Sequence, residues 1–169
     1  YTPILSGGKE EWQNTPVEFT VSTASSTPIS GIDHFEYSID KTNWKKIEDN
    51  KFSVDTLGKN TVYVRIITKA GNHSGNATGS AWFDNVAPNL KDGTASVSGT
   101  NLGAEFEDNE SGVAGIFYSA NTVDNPLNYS IGTWSNNSVK ANPPCSTTFY
   151  YYAYAIDNAG NIGERYKLG

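Results

Sequence analysis

The residues in this chain best suited to chemistry are carboxylates. Asp157 stands ahead of a glycine-containing turn in "AIDNAGNIGE", Glu107, Asp108 and Glu110 crowd "FEDNESG", and Asp84 and Asn85 open "DNVAPN". Calcium takes about six to eight oxygen ligands from such groups. If a fold brought these loops to one domain boundary, Asp84, Asn85, Glu107, Asp108 and Asp157 would form a calcium site stiffening the junction. The competing reading is that charged loops are simply solvated. Other chemistry is poorly supplied. His34 and His73 are the only histidines and Cys145 the only cysteine, which excludes an internal disulfide and a cysteine-based zinc site. Phosphate loops, nucleophile elbows and His-based metal spacings are absent. Glu10-Glu11 and the pair Asp108 and Glu110 are sequence neighbours, which says little about the separation glycosidase chemistry requires. The histidines read as solvated surface groups and Cys145 as a small buried hydrophobe. The chain is expected not to be an enzyme.

Aromatic residues offer a second kind of site. Period-two alternation turns Phe117, Tyr150, Tyr152 and Tyr154 to one side of two neighbouring strands. Rings with hydroxyls suit a sugar or a protein partner, because they offer apolar area with little entropy to lose. The interval from Tyr37 to Tyr63 is 26 positions and that from Tyr118 to Tyr152 is 34. The extra residues include part of "NPLNYSIGTW", so Leu127, Tyr129, Ile131 and Trp134 either fold back over the strip or leave it open as a binding face.

Strands must position all these residues. Ten Tyr, seven Phe and four Trp accompany 16 Gly in 169 residues, a mixture suited to short strands and tight turns. Sustained 3.6-residue periodicity is missing, so the expected class is all-β. A net charge of -6 and a sequence pI near 4.8 argue against nucleic acid, which needs a basic stripe. They also disfavour anionic membrane surfaces. No apolar run is long enough to span a bilayer, and with no Met and no signal peptide the chain is expected to be a piece of a longer protein.

The chain repeats itself. "SGIDHFEYSID" from Ser30 matches "SGVAGIFYSAN" from Ser111 at an offset of 81, and Ala70-Gly71-Asn72 matches Ala159-Gly160-Asn161 at 89. Offsets that drift while order is kept indicate one fold with loop insertions. Two domains are expected, 1–84 and 85–169, the second with a longer insertion around 121–146. In the first, Val17, Phe19 and Val21, then Phe35, Tyr37 and Ile39, then Phe52 and Val54, then Val62, Val64 and Ile66, then Ala81 and Phe83 mark strands. Six or seven such strands per copy suit a two-sheet sandwich, a small barrel being the lesser alternative. Ala-Gly-Asn then falls in the hairpin after the longest strand of each copy, where Gly and Asn accept a left-handed backbone. Trp44 reads as a packing residue over the core's edge.

"FEYSIDKTNWKKI", the long strand ending in Ala-Gly-Asn, and "FDNVAPN" together resemble bacterial immunoglobulin-like repeats. In these a Tyr-Ser-x-Asp turn precedes a Trp, an Asp-x-Ala-Gly-Asn hairpin follows, and an Asp-x-x-Ala-Pro linker joins units. Asn121 departs from that pattern in the second copy and Thr68-Lys69 in the first. The resemblance implies two tandem immunoglobulin-like β-sandwich domains from an extracellular, cell-surface or secreted bacterial protein, and no shared catalytic residues. The expected role is a structural spacer whose partners are neighbouring domains of the same chain. The alternative is a glycan- or protein-binding, adhesin-like module using Phe117, Tyr150, Tyr152, Tyr154 and Trp134 against a glycan or a host or cell-surface protein, without nucleic acid or membrane insertion.

Overall fold

The computed structural model describes residues 1–24, 27–98, 101–121, 134–135, 139–140 and 150–169. It is all-β and divides into two compact units, Tyr1–Asn85 and Val86–Gly169.

In the first unit the strands are β1 (Pro3–Gly7), β2 (Lys9–Gln13), β3 (Val17–Thr23), β4 (Ile32–Ser38), β5 (Lys45–Lys46), β6 (Lys51–Val54), β7 (Gly58–Thr68) and β8 (Ala77–Phe83). They form an immunoglobulin-like sandwich of a three-stranded sheet, β1-β3-β6, and a five-stranded sheet, β2-β8-β7-β4-β5. Alternation sets the core. Val17, Phe19 and Val21 from β3 meet Phe35, Val62, Val64, Ile66, Ala81 and Phe83 from the facing sheet, burying one side of each strand. Phe52 is sandwiched there between Phe19 and Tyr37, with ring centroids 5.1 and 4.1 Å away. Ile39, expected on the strand of Phe35, falls beyond the end of β4 and is exposed, because the turn that follows breaks the alternation. The barrel alternative is ruled out for this unit by its two separate sheets.

The N-terminal strand changes sheets. β1 pairs antiparallel with β3, whereas β2 runs parallel to β8, and the switch is made by Gly7 and Gly8 at φ 103° and 64°. A side chain would be strained there, and a Cβ on Gly8 would collide with the Ser80 carbonyl and the Phe19 ring.

The second unit contains β9 (Asn89–Leu90), β10 (Ser96–Ser98), β11 (Asn101–Gly103), β12 (Phe106–Glu107), β13 (Val113–Asn121), β14 (Trp134–Ser135), β15 (Val139–Lys140), β16 (Tyr150–Asp157) and β17 (Tyr166–Lys167). Its main sheet is β14-β13-β16-β17, with β10-β11-β15 and β12-β9 beside it. Leu102, Ile116, Tyr118, Tyr151, Ala153 and Ala155 form the core.

Around the Ala-Gly-Asn hairpin the main-chain bonds of the two copies correspond. Lys69 N–H donates to Gly31 O at 3.1 Å in the first unit, and Asn158 N–H to Gly112 O at 3.0 Å in the second. Thr68 and Asn72 pair as Asp157 and Asn161 do, Gly71 N–H reaches Thr68 O as Gly160 N–H reaches Asp157 O, and the isolated bridge Ile67 to His73 recurs as Ile156 to Ile162. Gly31 and Gly112 share a left-handed backbone, φ 85° and 80°. Each is followed by a register shift one residue into its strand, between Ile32 and His34 and between Val113 and Gly115.

Candidate functional site

Three acidic residues, Asp40, Asp108 and Asp157, are spent on turns and loops. Ser38 and Asp40, the Ser and Asp of the Tyr-Ser-x-Asp sequence, build the turn between β4 and β5. Ser38 Oγ accepts the N–H groups of Asp40 and Lys41 and donates to Asp40 Oδ1 at 2.8 Å. Asp40 Oδ1 accepts the N–H groups of Asn43 and Thr42, each at 2.8 Å, and Oδ2 accepts Asn43 Nδ2–H. Hydrogen bonds to the charged form favour it, so these donors, Asn43 N–H foremost, hold the Asp40 carboxyl far below the usual carboxylate range.

Asp157 does the same work in the second unit at the end of β16. Its Oδ1 accepts the N–H groups of Ala159 and Asn161, each at 2.9 Å, and its Oδ2 accepts Asn161 Nδ2–H at 2.8 Å. Asp108 Oδ2 accepts Gly112 N–H at 2.7 Å, fastening the loop before β13. Asn158 Nδ2–H donates to Ser111 O at 2.8 Å. Within this unit the Asp108 and Asp157 carboxylates come within 4.8 Å of each other, while Glu107 on β12 is exposed. In the first unit Asp84, just past β8, is fully buried and Asn85 is exposed.

The aromatic strip of the second unit is interrupted. Tyr151, Ala153 and Ala155 enter the core, which leaves Tyr150, Tyr152 and Tyr154 on the opposite face of β16. Tyr152 is nonetheless only 2% exposed, so a continuous accessible row of tyrosines is not what the fold presents. Phe117 and Tyr154, paired across β13 and β16, stack with centroids 5.3 Å apart and planes at 16°. Arg165 lies over the Tyr154 ring at 4.5 Å and Lys167 over Tyr150 at 5.0 Å. The backbone of Trp134 runs beside Phe117, since β14 pairs with β13. Leu127, Tyr129, Ile131 and Cys145 lie outside the described residues.

The outer face of the first unit holds a cationic and aromatic array that sequence reading missed. Lys59 stands over Trp82 at 4.2 Å and near Trp12 at 6.0 Å, and the two indoles are 5.6 Å apart. Lys41 covers Tyr63 at 4.7 Å, and the Arg65 guanidinium covers Trp44 at 3.9 Å. Trp44 is thus not a cover for the core: it packs on the far side of the sheet, its indole N–H donating to Lys41 O at 3.2 Å. Lys59, Tyr63 and Arg65 alternate visibly on β7, but their partners come from other strands and a turn, so only the fold shows the pairing.

The two histidines have different surroundings. His34 lies between Asp33 Oδ2 at 2.6 Å and Glu36 Oε2 at 3.3 Å. The Asp33 bond raises its pKa against the opposing effect of burial, and the same bond lowers that of Asp33. Glu36 also binds Arg65 Nη2 at 3.0 Å. His73 contacts Ser74 O through Nδ1 at 3.0 Å in the exposed hairpin.

No protein-family model matches this chain, and no curated protein matches it. One similar solved structure, described as "Structures of Clostridium thermocellum CbhA fibronectin(III)-like modules", is 10% identical over 97% of this chain and 91% of that one, with a TM-score of 0.35. The fold is defined by the strand order and the two cores of this chain.

Proposed function

We propose that the chain is a pair of non-catalytic, extracellular structural modules, bacterial immunoglobulin-like repeats that space or orient the neighbouring domains of a longer surface or secreted protein. The observation that carries this reading is the use of the polar side chains. Asp40, Asp108 and Asp157, the residues that would be drawn on for acid, base or metal chemistry, close turns that define the sandwich. Function on such folds resides in grafted surface patches, and a spacer needs none.

The second reading is a glycan- or protein-binding face on the second unit. Phe117 and Tyr154 support it, being stacked and half-buried rather than in the core. A panel of neutral glycans, screened with the whole chain and with Phe117→Ala/Tyr154→Ala, separates the two. The spacer reading expects no signal that the double substitution removes. A signal abolished by it replaces that reading with the binding one.

Calcium at Asp108 and Asp157 is a separate proposal, supported by their proximity. It expects calcium to raise the thermal midpoint relative to EDTA, and identical melting curves retire it.

A further inference from the structure

We propose that the outer face of the five-stranded sheet in the first unit binds an extended polysaccharide carrying carboxylates on its sugar rings. This goes beyond the spacer reading and uses different residues from the aromatic face of the second unit.

Charge is the first argument. Residues 1–85 hold eight Lys and Arg against ten Asp and Glu, so the unit as a whole is acidic. Yet Lys41, Lys46, Lys59 and Arg65 gather on or beside this face. Lys59 and Arg65 alternate with Tyr63 on the outward side of β7, Lys41 reaches Tyr63 from the turn, and Lys46 pairs with Glu36, which pairs with Arg65. Glu36 is already committed, to Arg65 through Oε1 and to His34 through Oε2. Among the described residues, Lys41, Lys46 and Lys59 make no ion pair.

Shape is the second. Lys59 and Arg65 are six residues apart on one strand, roughly 20 Å at about 3.3 Å per residue, a span longer than one sugar ring and suited to a chain. Between them Thr61 lies opposite Ser80 and Tyr63 opposite Thr78, supplying hydroxyls for neutral hydrogen bonding. The rings of Trp12, Trp44, Tyr63 and Trp82 are half-buried, and cations lie against them. Edges and ammonium groups are therefore presented in place of open ring faces. That disfavours single-stranded nucleic acid, which is held by bases stacking on free rings. Three cations without an ion-pair partner, of which Lys46 also feels the charge of Asp33, match about one carboxylate per ring or fewer over such a length, and a densely sulfated chain would bring more charge than they neutralise.

The test is titration of the whole chain at low salt with an oligogalacturonate, a neutral oligosaccharide of equal length, a sulfated oligosaccharide and a single-stranded oligonucleotide. The oligogalacturonate is expected to bind best, and Lys41→Ala/Lys59→Ala to weaken it about tenfold or more, with added salt doing likewise. Lys41→Arg/Lys59→Arg keeps the charge and is expected to keep binding, which guards against a folding artefact. The proposal is overturned by no binding of oligogalacturonate, by equal binding of the alanine variant, or by tighter binding of any of the other three probes.

Discussion

The two Ala-Gly-Asn hairpins differ in one telling respect. Their main-chain bonds coincide, but the first is closed by Thr68, whose Oγ1 accepts only Asn72 N–H at 3.1 Å, and the second by Asp157, which accepts three donors. The first unit compensates nearby. Ser74 Oγ accepts Ile66 N–H at 2.8 Å and donates to Gly75 O at 2.7 Å, whereas Gly163 occupies the corresponding position of the second unit and has no side chain to do this. The glycine and the backbone bonds define the turn, while the side chains that tie it down are interchangeable.

The comparison is most sharply broken at its acidic member. Asp157→Ala leaves three donors without their acceptor and is expected to cost about 3 kcal/mol, read from the urea midpoint. Exchange of the Asn161 and Ala159 amides should accelerate with it. Thr68→Ala, which removes one such bond, is expected to cost about 1 kcal/mol; an equal loss in both hairpins would show that the side-chain caps do not set their difference. Between these lie the matched substitutions Gly31→Ala and Gly112→Ala, each expected to cost about 1 to 2 kcal/mol because both residues are left-handed. Clearly unequal costs would show that the two loops are not the same structure.

Acid probes the β4–β5 turn of the first unit, whose Asp40 is matched in the second copy's sequence by Asn121, a residue of β13. The Asp40 carboxyl is depressed in the folded protein, so its contribution is present above the unfolded value of about 3.9 and is lost as pH falls through the folded one. Asp40→Asn should therefore flatten the acid dependence of the first unit, followed through exchange of the Thr42 and Asn43 amides. The smallest effect is expected at His34, whose pKa is raised. Its contribution is full below about 6.5 and fades as pH rises through the folded value. His34→Gln should remove that slope.

Much of the architecture was legible because it is local. Val17, Phe19 and Val21 alternate on β3 as sheet burial demands, and Gly71 and Gly160 mark the same turn wherever the chain must reverse. Asp40 was visible as part of a turn sequence, although not as an acceptor of four hydrogen bonds. The aromatic strip was harder. Alternation assigns Tyr152 to the face opposite the core, but burial depends on what covers that face, and Tyr152 is 2% exposed. Trp44 was misread for a related reason: its partner Arg65 is 21 residues away in sequence, and no local pattern connects them.

By itself the sequence determined that this is a β protein with a repeated unit, since the period of a strand and the backbone demands of Gly and Asn are written within a few residues. Only the tertiary structure decided which side chains meet. It paired Lys59 with Trp82 and Lys41 with Tyr63, and brought Asp108 near Asp157. Those contacts depend on sheet register and on where loops return, quantities fixed by the packing of the whole sandwich and by no single stretch of it.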